Sequence, residues 1–244
     1  MIKVGLISDT HYPQRLAALP NAIFDILKGV DLILHAGDVG SLEVVDALGK
    51  IAPVIAVHGN DEAPEAQREL PYQQLLNVEG RRILLWHSHF KDRIDELASR
   101  TVGQWEPYLA RGFERAKRAR AQIVVQGHMH LPMALQRDDI LLINSGGIAS
   151  PNFFTRQKLQ SVAILELSEN LSVKPSVQHI RLDNGETFSL QTDTSAPIAN
   201  SFPQITSSLL APDLQPLQSE LRLIYKHLDT LGKAFLPLAH AAWA

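Results

Sequence analysis

Short apolar segments that end in a potential metal ligand recur along this chain, and no other feature constrains its fold as strongly. Residues 2–7 form the first such segment, and Asp9 and His11 follow it directly. A short apolar run of this kind predicts a buried strand. Ligands of open α/β sheets bind at the carboxyl ends of the strands, so polar residues placed there can converge. A lone Asp-x-His after a strand is more often a turn or a cap. The prediction of a binding site therefore rests on the repetition of this pattern along the chain.

The first quarter of the chain alternates strand and helix patterns. After residues 2–7 we predict, in order, a helix at about 20–28, a strand at 31–35, a helix at about 41–49 and a strand at 53–57. This alternation is typical of a parallel βαβαβ unit. The second strand runs into Asp38 and the third into Asn60. Glycines close to Asp38 let the backbone turn sharply there.

The pattern then changes to hairpins and one long charged segment. We predict a hairpin over 73–79 and 82–86, a helical region over about 92–120 broken at Gly103 and Pro107, and strands at 122–126, 133–136, 140–144, 161–167 and 171–180. His87 follows the strand at 82–86. His128 and His130 follow the strand at 122–126.

Composition excludes several classes of protein. The 244-residue chain has a formal net charge of -3 and no cysteine. A slightly acidic chain gives no basic field for nucleic acid, and we interpret the basic cluster over 111–120 as a solvated helix face. Thiolate metal sites and cysteine nucleophiles are impossible. A strand begins at once and no apolar run could span a bilayer, so we expect a cytoplasmic protein without a signal peptide or membrane partner.

The strand ends together supply seven candidate metal ligands. They are Asp9, His11, Asp38, Asn60, His87, His128 and His130. Polar groups that share a crevice must satisfy one another or something bound there. Seven ligands exceed the need of one ion, and a carboxylate such as Asp38 can bridge two. Two divalent ions about 3.5–4 Å apart make a hydrolytic site.

These residues stand in motifs that resemble those of the calcineurin-like metallophosphoesterase superfamily, most of all its small bacterial and archaeal phosphodiesterase branch. The motifs are Asp9-Thr10-His11, Gly37-Asp38, Gly59-Asn60-Asp61, His87-Ser88-His89 and Gly127-His128-Met129-His130. The resemblance covers roughly residues 1–180. It implies an α/β (α+β) fold of two facing mixed β-sheets flanked by helices, a four-layer αββα sandwich.

The resemblance also implies how the ligands are divided. Asp9, His11 and His130 would hold one ion, Asn60, His87 and His128 the other, and Asp38 would bridge them. Imidazole, carboxylate and amide ligands suit two divalent ions among Mn²⁺, Fe, Zn²⁺, Ni²⁺ and Co²⁺, with Mn²⁺ our first expectation. A metal-bridging hydroxide would then attack phosphorus in line. The expected substrate is a small or accessible phosphate ester, with phosphodiester hydrolysis as the activity.

The chain departs from the superfamily pattern at the position of the general acid. Many members have a histidine directly after the motif asparagine, where this chain has Asp61. Asp61 would need a raised pKa to donate a proton near neutrality. His89 is the other candidate donor. Arg15 could contact a phosphate oxygen or lie on the surface, and Asn152 and Arg156 could approach the substrate.

The C-terminal quarter lies outside the resemblance. We predict a catalytic domain at 1–182, a polar linker at 183–213 and a helical appendage at 214–244. Apolar residues of the appendage alternate three and four apart, which is typical of a heptad stripe. This stripe could dock on the domain or pair with a second copy as a homo-oligomer.

Two other functions stay open. A monoesterase or nuclease of the same superfamily would use the same ligands, and a nuclease should show a basic track toward the site. A non-catalytic protein-binding scaffold would use the heptad stripe as its partner surface. A scaffold, however, has no physical need to aim seven polar groups at one crevice.

Overall fold

Two β-sheets face each other in the computed structural model, which describes residues 1–92, 95–96, 103–190 and 192–227. The strands are β1 Ile2–Ile7, β2 Leu32–His35, β3 Val54–Ala56, β4 Gln73–Val78, β5 Arg81–Trp86, β6 Ile123–Gln126, β7 Met133–Arg137, β8 Ile140–Asn144, β9 Thr155–Gln157, β10 Ser161–Leu167, β11 Ser176–Arg181, β12 Thr187–Phe188 and β13 Thr206–Ser208. The helices are α1 Asn21–Ile26, α2 Glu43–Leu48, α3 Pro64–Glu69, α4 Glu106–Ala119, α5 Phe202–Ile205 and α6 Gln218–His227. Single 3₁₀ turns occupy Ile198–Asn200 and Gln215–Leu217.

Strand order places the candidate ligands at one end of both sheets. The first sheet has the order β12-β11-β10-β1-β2-β3, and the second has the order β4-β5-β6-β8-β7. β1, β2 and β3 are parallel neighbours in the first sheet. β5, β6 and β8 are parallel neighbours in the second. The loops that carry the candidate ligands leave the carboxyl ends of β1, β2, β3, β5 and β6, which brings them together.

The apolar core lies in three layers. Between the sheets, Leu6 and Leu34 from the first sheet pack with Leu85 and Val125 from the second, all fully buried. A second cluster joins the outer face of the first sheet to α1 and α2. A third joins the outer face of the second sheet to α4. The three clusters thus lie between four layers of secondary structure in the order helix, sheet, sheet, helix, and the predicted αββα sandwich is confirmed.

The long charged segment over 92–120 is interrupted at Gly103, as predicted, since residues 103–105 are not helical. The helix α4 begins at Glu106, and Pro107 lies in its first turn. The prediction of a break at Pro107 is therefore wrong, because proline has no backbone N–H to lose there and its fixed φ suits a helix start. Residues 93–94 and 97–102 lie outside the described part. The last predicted strand, 171–180, is also shorter, since β11 starts at Ser176.

The polar segment 183–213 carries structure that its composition does not indicate. β12 extends the first sheet, and β13 pairs antiparallel with β9. Ile198 and Ile205 are buried in the cluster beneath α4. The backbone amide of Lys158 donates to the Ile205 carbonyl at 2.7 Å. The domain boundaries themselves stay a prediction.

The C-terminal stripe is only partly described. α6 covers residues 218–227, and the rest of the predicted appendage, 228–244, lies outside the described residues. Leu217 and Ile224 of the stripe are exposed. Across the described helices, none combines the length and apolarity that a membrane span requires.

Candidate metal centre

Six of the seven candidate ligands meet in two groups. Asp9, His11 and His130 form one group, and Asp38, His87 and His128 form the other. Within each group the potential ligand atoms lie within 4.8 Å of one another. All six side chains are nine-tenths or more buried. The first group has the members that the family resemblance implies, and His87 and His128 lie together as it implies, with Asp38 beside them. The place of Asn60 in the second group stays a prediction.

Asp9 is the fully buried carboxylate of the first group. Its Oδ1 lies 3.3 Å from His130 Nε2. Both of its carboxylate oxygens accept the backbone N–H of His128 at 3.1 Å, which ties the β1 loop to the β6 loop. Burial raises the pKa of Asp9 to about 6, although the nearby His87 imidazole alone would lower it.

Asp38 joins the two groups. Its Oδ2 lies 3.2 Å from His87 Nε2 and 3.4 Å from His11 Nε2. Its Oδ1 accepts the backbone N–H groups of Asn60 and Asp61 at 2.8 and 2.9 Å. Burial alone would raise the pKa of Asp38, but the His87 and His11 imidazoles hold it well below its usual value.

His87 is held in one orientation by its own backbone neighbourhood. Its Nδ1 donates to the Ala36 carbonyl at 2.7 Å, so Nε2 is the atom turned toward Asp38. Burial lowers the pKa of His87, but the Asp38 carboxylate outweighs it and the pKa rises to about 9. Fixing the second ring nitrogen in this way is how metal-binding histidines are usually oriented.

The donor set fits divalent cations. His130 Nδ1 is buried without a hydrogen-bond partner in the described part of the chain. His87 Nε2 and His11 Nδ1 are buried and face only carboxylates, Asp38 at 3.2 Å and Asp61 at 3.5 Å. Buried polar atoms are nearly always satisfied, so such a cluster needs a binding role. Imidazole nitrogens beside two carboxylates, without thiolates, suit borderline transition-metal ions.

The backbone is strained where these side chains are presented. Positive φ angles occur at five of the candidate ligands, namely Asp9 (57°), His11 (47°), Asp38 (51°), His128 (71°) and His130 (56°). The left-handed region costs a non-glycine residue about 1–2 kcal/mol. Strain of this kind persists only where surrounding structure imposes it, and it clusters at functional sites.

Two residues that hold the loops were not singled out from the sequence. Glu62 accepts backbone N–H groups from Val39, Gly40 and Gly59 at 2.6–2.9 Å, which binds the β2 loop to the β3 loop. Glu96 is buried, and its Oε1 lies 3.0 Å from His128 Nε2. No periodic pattern identifies either residue, since each acts through its own polar contacts and belongs to no apolar stripe.

Arg15 is a third contributor that sequence reasoning left open. It is buried rather than on the surface, and its guanidinium forms an ion pair with Asp61. Its Nη1 lies 3.4 Å from His11 Nε2 and donates to the Ser150 carbonyl at 2.9 Å. Burial would raise the pKa of Asp61, but the Arg15 charge holds it far below its usual value.

The other predicted catalytic residues lie at the edge of the centre. The Asn60 side chain is exposed, while its backbone N–H binds Asp38. The His89 ring lies 5.6 Å from the His87 ring and edge-on to Tyr72. Burial, followed by the charges of His87 and His128, lowers the pKa of His89 to about 3. Neither Asp61 nor His89 is thus protonated near neutrality in this arrangement.

The turn after β8 borders the first group. The Asn144 side chain bridges the Gly127 carbonyl and the Gly146 amide, both at 2.9 Å. A Cβ added at Gly147 would lie 2.3 Å from His130 Nδ1. Only glycine leaves room for the histidine there, so this turn helps to seat His130.

An αββα sandwich with two adjoining His/Asp groups at the strand ends defines a metal-dependent phosphoesterase. The family model described as calcineurin-like phosphoesterase superfamily domain matches residues 2–170. This chain belongs to that superfamily.

Relatives agree with this assignment. A probable metallophosphoesterase of Methanothermobacter thermautotrophicus is 30% identical over 198 residues, which cover 81% of this chain and 96% of the relative. A phosphodiesterase of Methanocaldococcus jannaschii is 25% identical over 154 residues, covering 59% of this chain and 83% of that protein. A solved structure of zinc-complexed Vps29 from Entamoeba histolytica has a TM-score of 0.57 at 20% identity, covering 77% of this chain and 96% of that one, which supports the fold alone.

Proposed function

We propose that this chain is a phosphodiesterase that uses two divalent ions bound by the seven candidate ligands. The position of Asp38 carries the proposal, because its Oδ2 faces imidazoles of both groups at 3.4 Å or less. A single shared carboxylate is what a bridged pair of ions requires. Bound there, the two ions would supply an activated water and would stabilise charge on the phosphate oxygens.

The chain's own residues would preorganise this chemistry. Asn60 and Asp61 donate backbone N–H groups to Asp38 Oδ1, which leaves Oδ2 directed at the histidines. The Ala36 carbonyl fixes the tautomer of His87. The Asn60 side chain completes the second group in this proposal. Mn²⁺ is the ion that we would add first, and Zn²⁺, Fe, Ni²⁺ and Co²⁺ are the alternatives.

The ionisation of Asp61 bears on the substrate. Arg15 keeps this carboxylate charged, and His89 is neutral. Because neither group offers a proton at neutral pH, the enzyme would favour esters whose leaving group departs with little protonation. Phosphodiester hydrolysis is further supported by the M. jannaschii relative, which is named a phosphodiesterase.

The test compares a chromogenic diester with its monoester. Bis(p-nitrophenyl) phosphate and p-nitrophenyl phosphate would be assayed with each divalent ion and with a chelator. We expect metal-dependent turnover that favours the diester. A preference for the monoester would replace the phosphodiesterase proposal with a monoesterase, and bound metal without turnover of either ester would favour the scaffold.

A further inference from the structure

A basic pocket adjoins the metal centre on the side of Arg15. It has a volume of about 430 Å³, and the residues that line it include Arg15, Ala149, Arg156, Gln157, Lys158 and Ser207. Arg15 belongs to both sites, since its Nη1 lies 3.4 Å from His11 Nε2. Ala149 connects them a second time, because its backbone N–H donates to the Asp9 carbonyl at 2.9 Å.

The pocket carries uncompensated positive charge. Arg156 and Lys158 are exposed cations in its wall. Neither forms an ion pair with a carboxylate in the described part of the chain, whereas the Arg15 charge is offset by Asp61. The residues that line the pocket include no aspartate or glutamate. Two cations beside polar Ser and Gln side chains favour an anionic ligand.

One residue of the pocket wall, Ser207, comes from a segment beyond the family match. The matched region ends at residue 170, and β13 lies at Thr206–Ser208. β13 pairs with β9 so that Ser207 stands opposite Arg156. The Lys158 ammonium donates to the Pro203 carbonyl, just before β13. The C-terminal segment thus contacts both cationic residues, Arg156 through strand pairing and Lys158 through its ammonium group.

We propose that this pocket binds a second phosphate group of the substrate, so that the preferred substrates are small phosphodiesters carrying a further phosphate. The use of the pocket during hydrolysis rests on the proposed phosphodiesterase function. The binding of a second phosphate does not rest on that function, because it depends on the cations Arg156 and Lys158 and not on hydrolysis. A volume of about 430 Å³ lies within the range of small-molecule sites.

Binding is tested with two nucleotides that differ by one phosphate. Thymidine 3′,5′-bisphosphate and thymidine 5′-monophosphate would be titrated calorimetrically into the full chain with Mn²⁺. We expect the bisphosphate to bind about tenfold more tightly, which corresponds to about 1.4 kcal/mol. The double variant Arg156→Gln/Lys158→Gln should lose that preference. Ser207→Glu, which adds an anion to the pocket wall beside Arg156, should lose the preference for the bisphosphate too.

The control removes two equal charges elsewhere. Lys117 and Arg118 are exposed on α4 and do not line the pocket. The variant Lys117→Gln/Arg118→Gln should keep the tenfold preference, which separates a local contact from a general effect of net charge. Thermal unfolding of each variant would verify that it is folded.

Hydrolysis gives an independent readout. Thymidine 5′-(p-nitrophenyl phosphate), with and without a 3′-phosphate, would be compared as the ratio of the two kcat/KM values. The pocket proposal is overturned if the parent shows no preference for the second phosphate, or if the preference survives in Arg156→Gln/Lys158→Gln. Failure of the chain to hydrolyse any diester would instead overturn the proposed function, while the calorimetry would still decide on the pocket.

Discussion

His87 Nε2 and Asp38 Oδ2 face each other at 3.2 Å in the buried metal centre. The Nδ1–H of His87 donates a hydrogen bond to the Ala36 carbonyl. A neutral His87 would therefore direct its Nε2 lone pair at a carboxylate. Two acceptors cannot rest in that position without a cation between them. A proton or a metal ion must therefore accompany this pair.

This relationship predicts that metal binding releases a proton. His87 has a pKa of about 9 because of Asp38, so it is protonated at pH 7.5 before the metal binds. Only the deprotonated imidazole is a ligand. Calorimetry in buffers of different ionisation enthalpy should find about one proton released per chain at pH 7.5, with metal affinity rising toward pH 9.

The control for proton release is His179, a histidine outside the two ligand groups. His179→Gln should release as many protons as the parent, whereas His87→Gln should release fewer. Proton release that is unchanged in His87→Gln would show that another group carries this proton.

Asp61 is predicted not to act as the proton donor. Its ion pair with Arg15 keeps it charged, so Asp61→Asn removes an anion rather than an acid. We expect kcat/KM for diesters to fall less than about tenfold, since the Asp61 side of this ion pair is half exposed and solvent screens its charge. The loss should be the same for good and poor leaving groups. A loss that grows with the pKa of the leaving group would instead identify Asp61 as the acid; Asp25→Asn, on an exposed carboxylate, is the control.

Gly59 is predicted to be essential for the position of Asp38. A Cβ at this residue would lie 2.1 Å from Asp38 Oδ1 and 2.7 Å from the His87 ring. Gly59→Ala should lower stability by about 1–3 kcal/mol, as overpacking does, and should also weaken metal binding. Denaturant titration and metal titration would measure the two effects.

Gly185→Ala is the matched control for that variant. Nothing lies within 4 Å of its added Cβ, but its φ of 73° disfavours alanine. It should therefore lower stability while leaving metal affinity unchanged. Equal metal affinity in Gly59→Ala and the parent would contradict the role assigned to Gly59.

The sequence predicts the centre well because its information is local. Each candidate ligand follows a short apolar strand, and parallel strands bring their carboxyl ends together without any knowledge of tertiary contacts. Asp38, His87 and His128 could therefore be expected to meet. The alternating pattern likewise predicts the parallel strands β1, β2 and β3, whereas the two facing sheets and their layers were implied by the family resemblance.

What the sequence could not predict depends on single long-range contacts. The burial of Arg15 follows from its contacts with Asp61 and Ser150, which lie far along the chain. The pairing of β13 with β9 could not be predicted because β13 is short and consists of polar residues. Glu96 reaches His128 from a charged region that carries no apolar signal.

The buried His179 predicts a loss of stability in acid. Its Nε2 donates to the Asn144 carbonyl at 2.8 Å, and burial lowers its pKa below 6.5. The unfolded chain therefore binds a proton that the folded chain does not, and stability falls as pH drops through about 6.5. The loss from this one group is at most about 2 kcal/mol at pH 5. Urea unfolding with chelator at pH 7.5 and pH 5 should show a smaller loss for His179→Gln than for the parent, and an equal loss would contradict the assignment.

The shared carboxylate of Asp38 is the central claim, and the metal content and activity of Asp38→Asn test it most directly. Metal analysis after dialysis against Mn²⁺ should find about two ions per parent chain, as bridged sites require, and at least one fewer in Asp38→Asn. Hydrolysis of bis(p-nitrophenyl) phosphate by this variant should fall by about 100-fold or more. An Asp38→Asn variant that keeps two ions and the parental rate would contradict a bridged metal pair at this site.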